Sequence, residues 1–299
     1  MATVLVLGGL LGGGAGATPI RHELGTAEVG GVPRRVVVLE YSFADALLSV
    51  GVRPVGLAQE AAGSDLPYLD RQLGGVAVVG SRAQPSLEKI LALKPDLIVA
   101  DLDRHKALYG QLSKIAPTLV LNSRLGSYSD ILAQAQLLAG VVGREKLMAA
   151  RVRDHQALLN KVLAVQGRRK TSLMVVSARN DSLTAFDQDS FVGSLVARLG
   201  RPNPFKLGGN VRAETSLEGL VALNPDTLIL LGNRGESLIT DSWARTPLWR
   251  GLSAVKANRV YPFDRNLWTK GRGLLAANLM LGQMLNSGVL TGGAPRDMR

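Results

Sequence analysis

Cysteine is absent from the 299-residue chain. That excludes disulfide scaffolds, thiolate nucleophiles, thiolate metal sites and iron–sulfur clusters, and it leaves no thiol for a lipid anchor. Histidine occurs three times, as His22, His105 and His155. These positions are too scattered to make a sequence-evident metal site. Aromatic residues are only 4% of the chain, and the basic residues form one short run, Arg168-Arg169-Lys170. Few stacking platforms and no long basic cluster argue against a nucleic-acid partner. No Gly-x-Ser-x-Gly elbow, His-Glu-x-x-His pair or Walker loop is present, so no familiar catalytic motif is available. Beyond the N-terminus no run of about 20 apolar residues occurs, which excludes an internal membrane-spanning helix.

What is present is a chain with 46% hydrophobic residues and a net charge of +11. It has enough apolar residues to bury real cores, and its charge suits an anionic partner. The segment 1–17 is apolar and glycine-rich and ends in Ala15-Gly16-Ala17, a small-x-small cleavage pattern. It reads as an export signal that lacks the usual basic stretch. A rival reading is a strand followed by a phosphate loop over Gly8–Gly14, as in a Rossmann-like NAD(P)-dependent oxidoreductase. Such a loop must open directly onto a helix, whereas Pro19 and the polar stretch Arg21–Gly31 follow here.

Two segments repeat each other, Ser86–Asp101 and Ser216–Gly232, 130 residues apart. Each reads as an N-cap serine, a short helix, a Lys-Pro-Asp or Asn-Pro-Asp turn, and a buried strand. One repetition at this distance implies two similar α/β lobes. Further strands are expected at Arg35–Leu39, Val55–Leu57, Val76–Val79 and Thr118–Leu121, and in the second lobe at Ser172–Val176 and Arg259–Tyr261. Helices are expected at Phe43–Val50, Ala107–Ile115, Phe191–Leu199 and Leu274–Asn286. This alternation argues for parallel sheets with helical crossovers. Between the lobes, Tyr128–Val165 is free of proline and has apolar residues near helical spacing. It reads as one long helix bent near Gly140 and Gly143, or as two helices joined at those glycines. The expected division is 1–17 signal peptide, 18–127 first lobe, 128–166 connecting helix and 167–299 second lobe.

Several stretches carry a resemblance. Arg34–Ala58 resembles the opening strand–helix–strand of the helical-backbone (class III) substrate-binding proteins of iron–siderophore and vitamin B12 ABC importers. Asp103–Leu121, Ser123–His155 and Asp189–Gly200 resemble the ferric dicitrate branch of that family. The resemblance implies two Rossmann-like α/β lobes with parallel sheets, joined by one long backbone helix, with a ligand cleft between them. It implies a non-enzymatic, exported, monomeric protein that captures a ferric chelate and hands it to an inner-membrane permease. Lacking cysteine, the protein is expected to be free in the periplasm. Ferric dicitrate is the expected ligand, and hydroxamate or catecholate siderophores are the alternatives. No cofactor is implied.

An anionic chelate needs cations that give directed hydrogen bonds, which favours arginine. In open α/β sheets, ligands sit beyond the carboxyl ends of strands. Arg82, Arg104, Arg124, Arg179, Arg245 and Arg272 follow expected strands or lie in nearby loops and are the candidate ligand-binding residues. Tyr41, Trp243 and Trp268 are candidates for packing on the chelate, with core packing as the alternative. His105, beside Arg104, either faces the cleft or serves as a helix-terminal polar residue. Glu88 and Glu218 hold equivalent places in the repeat. The resemblance implies that they dock onto permease arginines, one from each lobe.

Overall fold

The computed structural model describes residues 17–60 and 65–299. The glycine-rich stretch Gly8–Gly14, and all of the expected cleavage motif except Ala17, lie outside them. Where the sequence suggested only a polar segment, the chain forms a hairpin, β1 (Ala17–His22) and β2 (Gly25–Gly30). Ala27 and Val29 alternate inward along β2, so one face of the hairpin packs on the first lobe. The Glu23 N–H donates to Val120 O at 3.0 Å and pins its turn.

The first lobe begins with β3 (Val36–Val38), α1 (Tyr41–Ser49), β4 (Gly56–Leu57), α2 (Pro67–Leu73) and β5 (Ala77–Val78). It continues with α3 (Leu87–Ala92), β6 (Leu97–Asp101), α4 (Leu102–His105), α5 (Tyr109–Leu112) and β7 (Thr118–Leu121). The strands form a parallel sheet in the order β5-β4-β3-β6-β7. The continuous helix expected over Ala107–Ile115 is instead a series of short turns around α5. Asp101 caps α4, accepting from the Arg104 N–H at 2.9 Å, and the chain then swings so that His105 is enclosed.

The connector is two helices, α6 (Tyr128–Val141) and α7 (Glu145–Gln166), rather than one long one. Gly143, at φ +66°, makes the break, a left-handed conformation that glycine adopts without a Cβ clash. α6 places Tyr128 and Ile131 in the core of the second lobe and Ala135, Leu138 and Ala139 in that of the first. α7 returns the other way, from Met148 in the first core to Leu159 and Val162 in the second.

The second lobe runs β8 (Met174–Ala178), β9 (Leu183–Phe186), α8 (Phe191–Ala197), β10 (Arg212–Glu214), α9 (Leu217–Leu223) and β11 (Leu228–Gly232). There follow α10 (Ile239–Trp243), α11 (Pro247–Gly251), α12 (Ser253–Lys256), β12 (Val260–Asp264), α13 (Arg265–Lys270) and α14 (Leu274–Ser287). Its sheet order is β10-β9-β8-β11-β12. β8, β11 and β12 are parallel, as the strand–helix alternation implies, and β9 adds a strand antiparallel to both its neighbours. The turn between β8 and β9, closed by the Arg179 N–H on Ser182 O at 2.9 Å, is too short for a parallel crossover.

The repeat is structural. Ser86 and Ser216 cap α3 and α9 through Lys89 N–H and Gly219 N–H. Lys94 and Asn224 both take positive φ, +45° and +39°, before the two prolines. Asp96 accepts from the N–H groups of Arg34 and Arg35, and Asp226 from that of Ser172. Each aspartate thus ties down the approach to the central strand of its lobe. In both sheets the strand order reverses beside that strand, between β3 and β6 and between β8 and β11, which opens a crevice at the carboxyl ends.

Candidate functional site

β3 runs through Leu39 into Glu40 and Tyr41 at the start of α1, and β6 ends in Asp101, so these residues stand at the crevice of the first lobe. Asp101 is fully buried, and one carboxylate organises two loops. Its Oδ1 accepts from Arg104 N–H, and its Oδ2 accepts from Ser123 N–H and Arg124 N–H, each at 2.9 Å. His105 is also fully buried. Its Nδ1 accepts from the Asp101 N–H at 2.9 Å and its Nε2–H donates to Arg82 O at 2.8 Å. Burial lowers its pKa, which keeps the ring neutral and fits this pair of bonds. His105 therefore positions Arg82 from beneath and does not line the cleft.

Arg82 stacks over the Tyr41 ring at 4.2 Å and meets both oxygens of Glu60 at 3.1 Å and Glu40 Oε2 at 3.3 Å. Tyr41, fully buried, donates its hydroxyl to Glu60 at 2.6 Å. It orients Arg82 from behind instead of packing on a ligand. Arg104 Nε lies 2.6 Å from Glu40 Oε1. Arg124 pairs with Asp103. Burial opposes the charge on Arg82, but Glu40 and Glu60 outweigh it and raise its pKa.

Two further arginines complete the cluster. Arg272, in the link between α13 and α14, is desolvated, and Arg212 and Arg82 oppose its charge, bringing its pKa down to about 10. It therefore stays ionised at neutral pH. Arg212, on β10 of the second lobe, has its pKa lowered by desolvation and by the neighbouring cations Arg124 and Arg104. Among the described residues neither Arg212 nor Arg272 forms an ion pair. Sequence reasoning missed Arg212 because β10 is a three-residue edge strand without a strand pattern. Its only signal was its place just before the second repeat unit. The same reasoning passed over Glu40, Glu60 and Asp101. A cavity of about 550 Å³ opens beside Arg124 and Arg212 and is lined by Ser127 and Asp130 at the start of α6 and by Asp189 and Asn210 of the second lobe.

Arg179 stands exposed in the turn after β8, and Arg245 exposed between α10 and α11. Trp243 packs on Trp249 at 6.1 Å in the core of the second lobe. Trp268 is 1% exposed, packs on Phe263 and donates its indole N–H to Gln283 at 2.6 Å. Trp268 is a core residue, which corrects its assignment to the ligand, because large aromatic side chains supply buried area where a lobe needs it, whereas Trp243 is half-buried at the edge of the core that holds Trp249. Glu88 and Glu218 are exposed in the first turns of α3 and α9. In both lobes that turn faces the carboxyl ends of the strands, so the two carboxylates flank the crevice side of the molecule. Among the described residues no group of three or more histidine, aspartate or glutamate side chains is placed to hold a metal ion.

Comparison with known proteins agrees with this geometry. A family model described as a periplasmic binding protein matches residues 36–267. The Fe(3+) dicitrate-binding periplasmic protein FecB of Escherichia coli (strain K12) is 38% identical over 262 residues, which is 87% of this chain and 87% of that protein. The Fe(3+)-citrate-binding protein YfmC of Bacillus subtilis (strain 168) is 37% identical over 256 residues, 85% of this chain and 81% of that protein. The crystal structure of Staphylococcus aureus SirA complexed with staphyloferrin B superimposes with a TM-score of 0.79 at 26% identity, covering 90% of this chain and 98% of that one. A crevice at the strand ends of two like lobes, a cluster of arginines drawn from both, and these matches lead to one assignment: the chain belongs to the periplasmic binding protein family.

Proposed function

We propose that the chain captures an anionic ferric chelate of the dicitrate kind between its lobes and delivers it to an inner-membrane ABC-type permease. As a member of a binding-protein family it is not an enzyme, and iron enters as cargo within its chelate. The observation that carries this reading is the pair Arg212 and Arg272, which make no ion-pair contact among the described residues and stand beside the cations Arg104 and Arg82 in the crevice. Gathering like charges in a partly dry site is unfavourable unless an anion joins them. A polycarboxylate chelate supplies that anion, and guanidinium groups meet carboxylates in a directed way. The names of FecB and YfmC support the same ligand class.

Glu88 and Glu218 are proposed as the two permease contacts, one per lobe, so that a single partner reads the spacing of the lobes through complementary charge. The protein is proposed to act as a monomer in the periplasm. Among the described residues no helix is long and apolar enough to cross a membrane.

Calorimetric titration with ferric citrate, iron-free citrate and a ferric hydroxamate tests the ligand. Saturable binding of ferric citrate at micromolar or lower concentration is expected. Binding of the hydroxamate alone would overturn the dicitrate assignment and leave the family in place.

A further inference from the structure

Glu40 is the unusual group of the cleft. It is 1% exposed at the end of the central strand, with Arg82, Arg104 and Arg272 around it, Asp101 opposing from β6, and Glu60 and Tyr41 reaching it through Arg82. Its Oε1 and Arg104 Nε stand 2.6 Å apart, yet neither atom has an aligned hydrogen-bond partner. The contact is an ion pair of poor direction, held by charge alone. A buried carboxylate in such a pair is costly to isolate and readily neutralised by a proton.

We propose that Glu40 is a displaceable counter-ion that sets the size and charge a ligand must have to enter the cleft. This rests on the reading of the cleft as a site for an anionic chelate. In the empty cleft Glu40 holds Arg82 and Arg104. An incoming carboxylate that takes Arg104 leaves Glu40 beside a second anion. A small anion meets that repulsion with little in return. A large chelate also reaches Arg212 and Arg272, which make no ion-pair contact among the described residues, and gains there what it loses beside Glu40. The repulsion is further relieved if Glu40 takes up a proton on binding. Burial already raises its pKa above the ordinary carboxylate value despite the three cations.

Titration calorimetry of the full chain with ferric citrate and with iron-free citrate, in two buffers of different ionisation enthalpy at pH 6.5, tests the proposal. The wild type and the isosteric Glu40→Gln variant are compared, so that protons exchanged by citrate itself cancel. The wild type is expected to take up more protons than the variant, by up to about one. The variant is expected to bind both ligands more tightly and to lose at least about fivefold of its preference for the ferric chelate, a modest share of what close charge pairs contribute. Equal proton counts and an unchanged preference would overturn the role of Glu40. No binding of ferric citrate by the wild type would instead overturn the chelate reading, and this inference with it. Should the glutamine variant not fold, Glu40→Asp takes its place in the same comparison, and an unchanged preference for the ferric chelate there would contradict the role of Glu40.

Discussion

Arg212 and Arg272 stand among like charges, and desolvation, reinforced by nearby cations, lowers the pKa of each. Side chains in that position serve binding at the expense of stability. Arg212→Ala and Arg272→Ala are therefore expected to leave the melting temperature unchanged or raise it. Each should weaken ferric citrate binding by tenfold or more, since a hydrogen bond to a charged group is worth about 1.5–3 kcal/mol. Thermal unfolding and calorimetry on the same preparations check both halves. Arg82 should behave in the opposite way. Its loss leaves Glu40 and Glu60 without their cation, so Arg82→Ala should lose both stability and binding. The strand-end rule pointed to Arg82, Arg104, Arg124 and Arg272 in the sequence. It could not reveal that Glu40, Tyr41, Asp101 and His105 hold those arginines, because, apart from the Asp101 cap on Arg104, such support is made of contacts between residues far apart in the chain.

At the level of elements, α14 is the piece whose position matters most. Its N-terminus lies against the first lobe, where buried Asp45 of α1 accepts from Leu275 N–H and Ala276 N–H at 3.0 Å and from the Tyr68 hydroxyl at 3.1 Å. A carboxylate from one lobe thus caps a helix whose far end lies in the core of the other. Gly273, at φ +144°, precedes the helix, and a Cβ there would strike the Asp45 side chain. Gly273→Ala is expected to cost about 2 kcal/mol or more, as strain at a special backbone position does, and denaturant unfolding measures it.

Burial raises the pKa of Asp45 from 3.8 to about 7 against the pull of its hydrogen-bond donors. A carboxyl whose native pKa lies above its unfolded value contributes stability that is complete below about pH 4 and is lost as pH rises through about 7. The melting temperature is therefore expected to fall between pH 5 and pH 8 by more in the wild type than in Asp45→Asn. Equal slopes in calorimetric scans would contradict this. The sequence reading placed α14 well, at Leu274–Asn286 against the observed Leu274–Ser287. Nothing in its apolar pattern said that its cap comes from a residue 230 positions away.

Across the whole molecule, three helices span both cores. α6, α7 and α14 each contribute side chains to the two lobes, and a polar chain runs across them. The Tyr128 hydroxyl donates to His155 Nε2 at 2.5 Å, and His155 Nδ1–H donates to Asn278 Oδ1 at 2.6 Å. Burial lowers the His155 pKa and keeps the ring neutral for both bonds. A connection of this breadth resists hinge bending more than extended linkers do. The radius of gyration measured by X-ray scattering is expected to change by less than about 1 Å on saturation with ferric citrate, small beside the several-ångström closures of hinged domains. Docking belongs to the same scale. Glu88→Lys with Glu218→Lys is expected to leave ligand affinity unaltered and to reduce iron uptake by a reconstituted transporter at least tenfold, since like-charge contacts at an interface cost several kcal/mol.

The two-lobed α/β plan was legible in the amino acids because local rules write it: a repeated cap–helix–proline–strand unit, continuous apolar strands, and turns set by Pro95 and Pro225. The lack of cysteine, the small number of aromatics and the surplus of arginine narrowed the chemistry in the same way. Other features depend on which distant groups share a dry space. Tertiary structure alone folded the N-terminal polar stretch into a hairpin and turned β9 antiparallel. It enclosed Trp268 within a lobe, brought Arg212 across to Arg104, and set Glu40 between two arginines. Periodicity reports the neighbours of a residue along its own helix or strand. The charge a cleft presents is a sum over groups from different elements, and it exists only once the chain has closed around them.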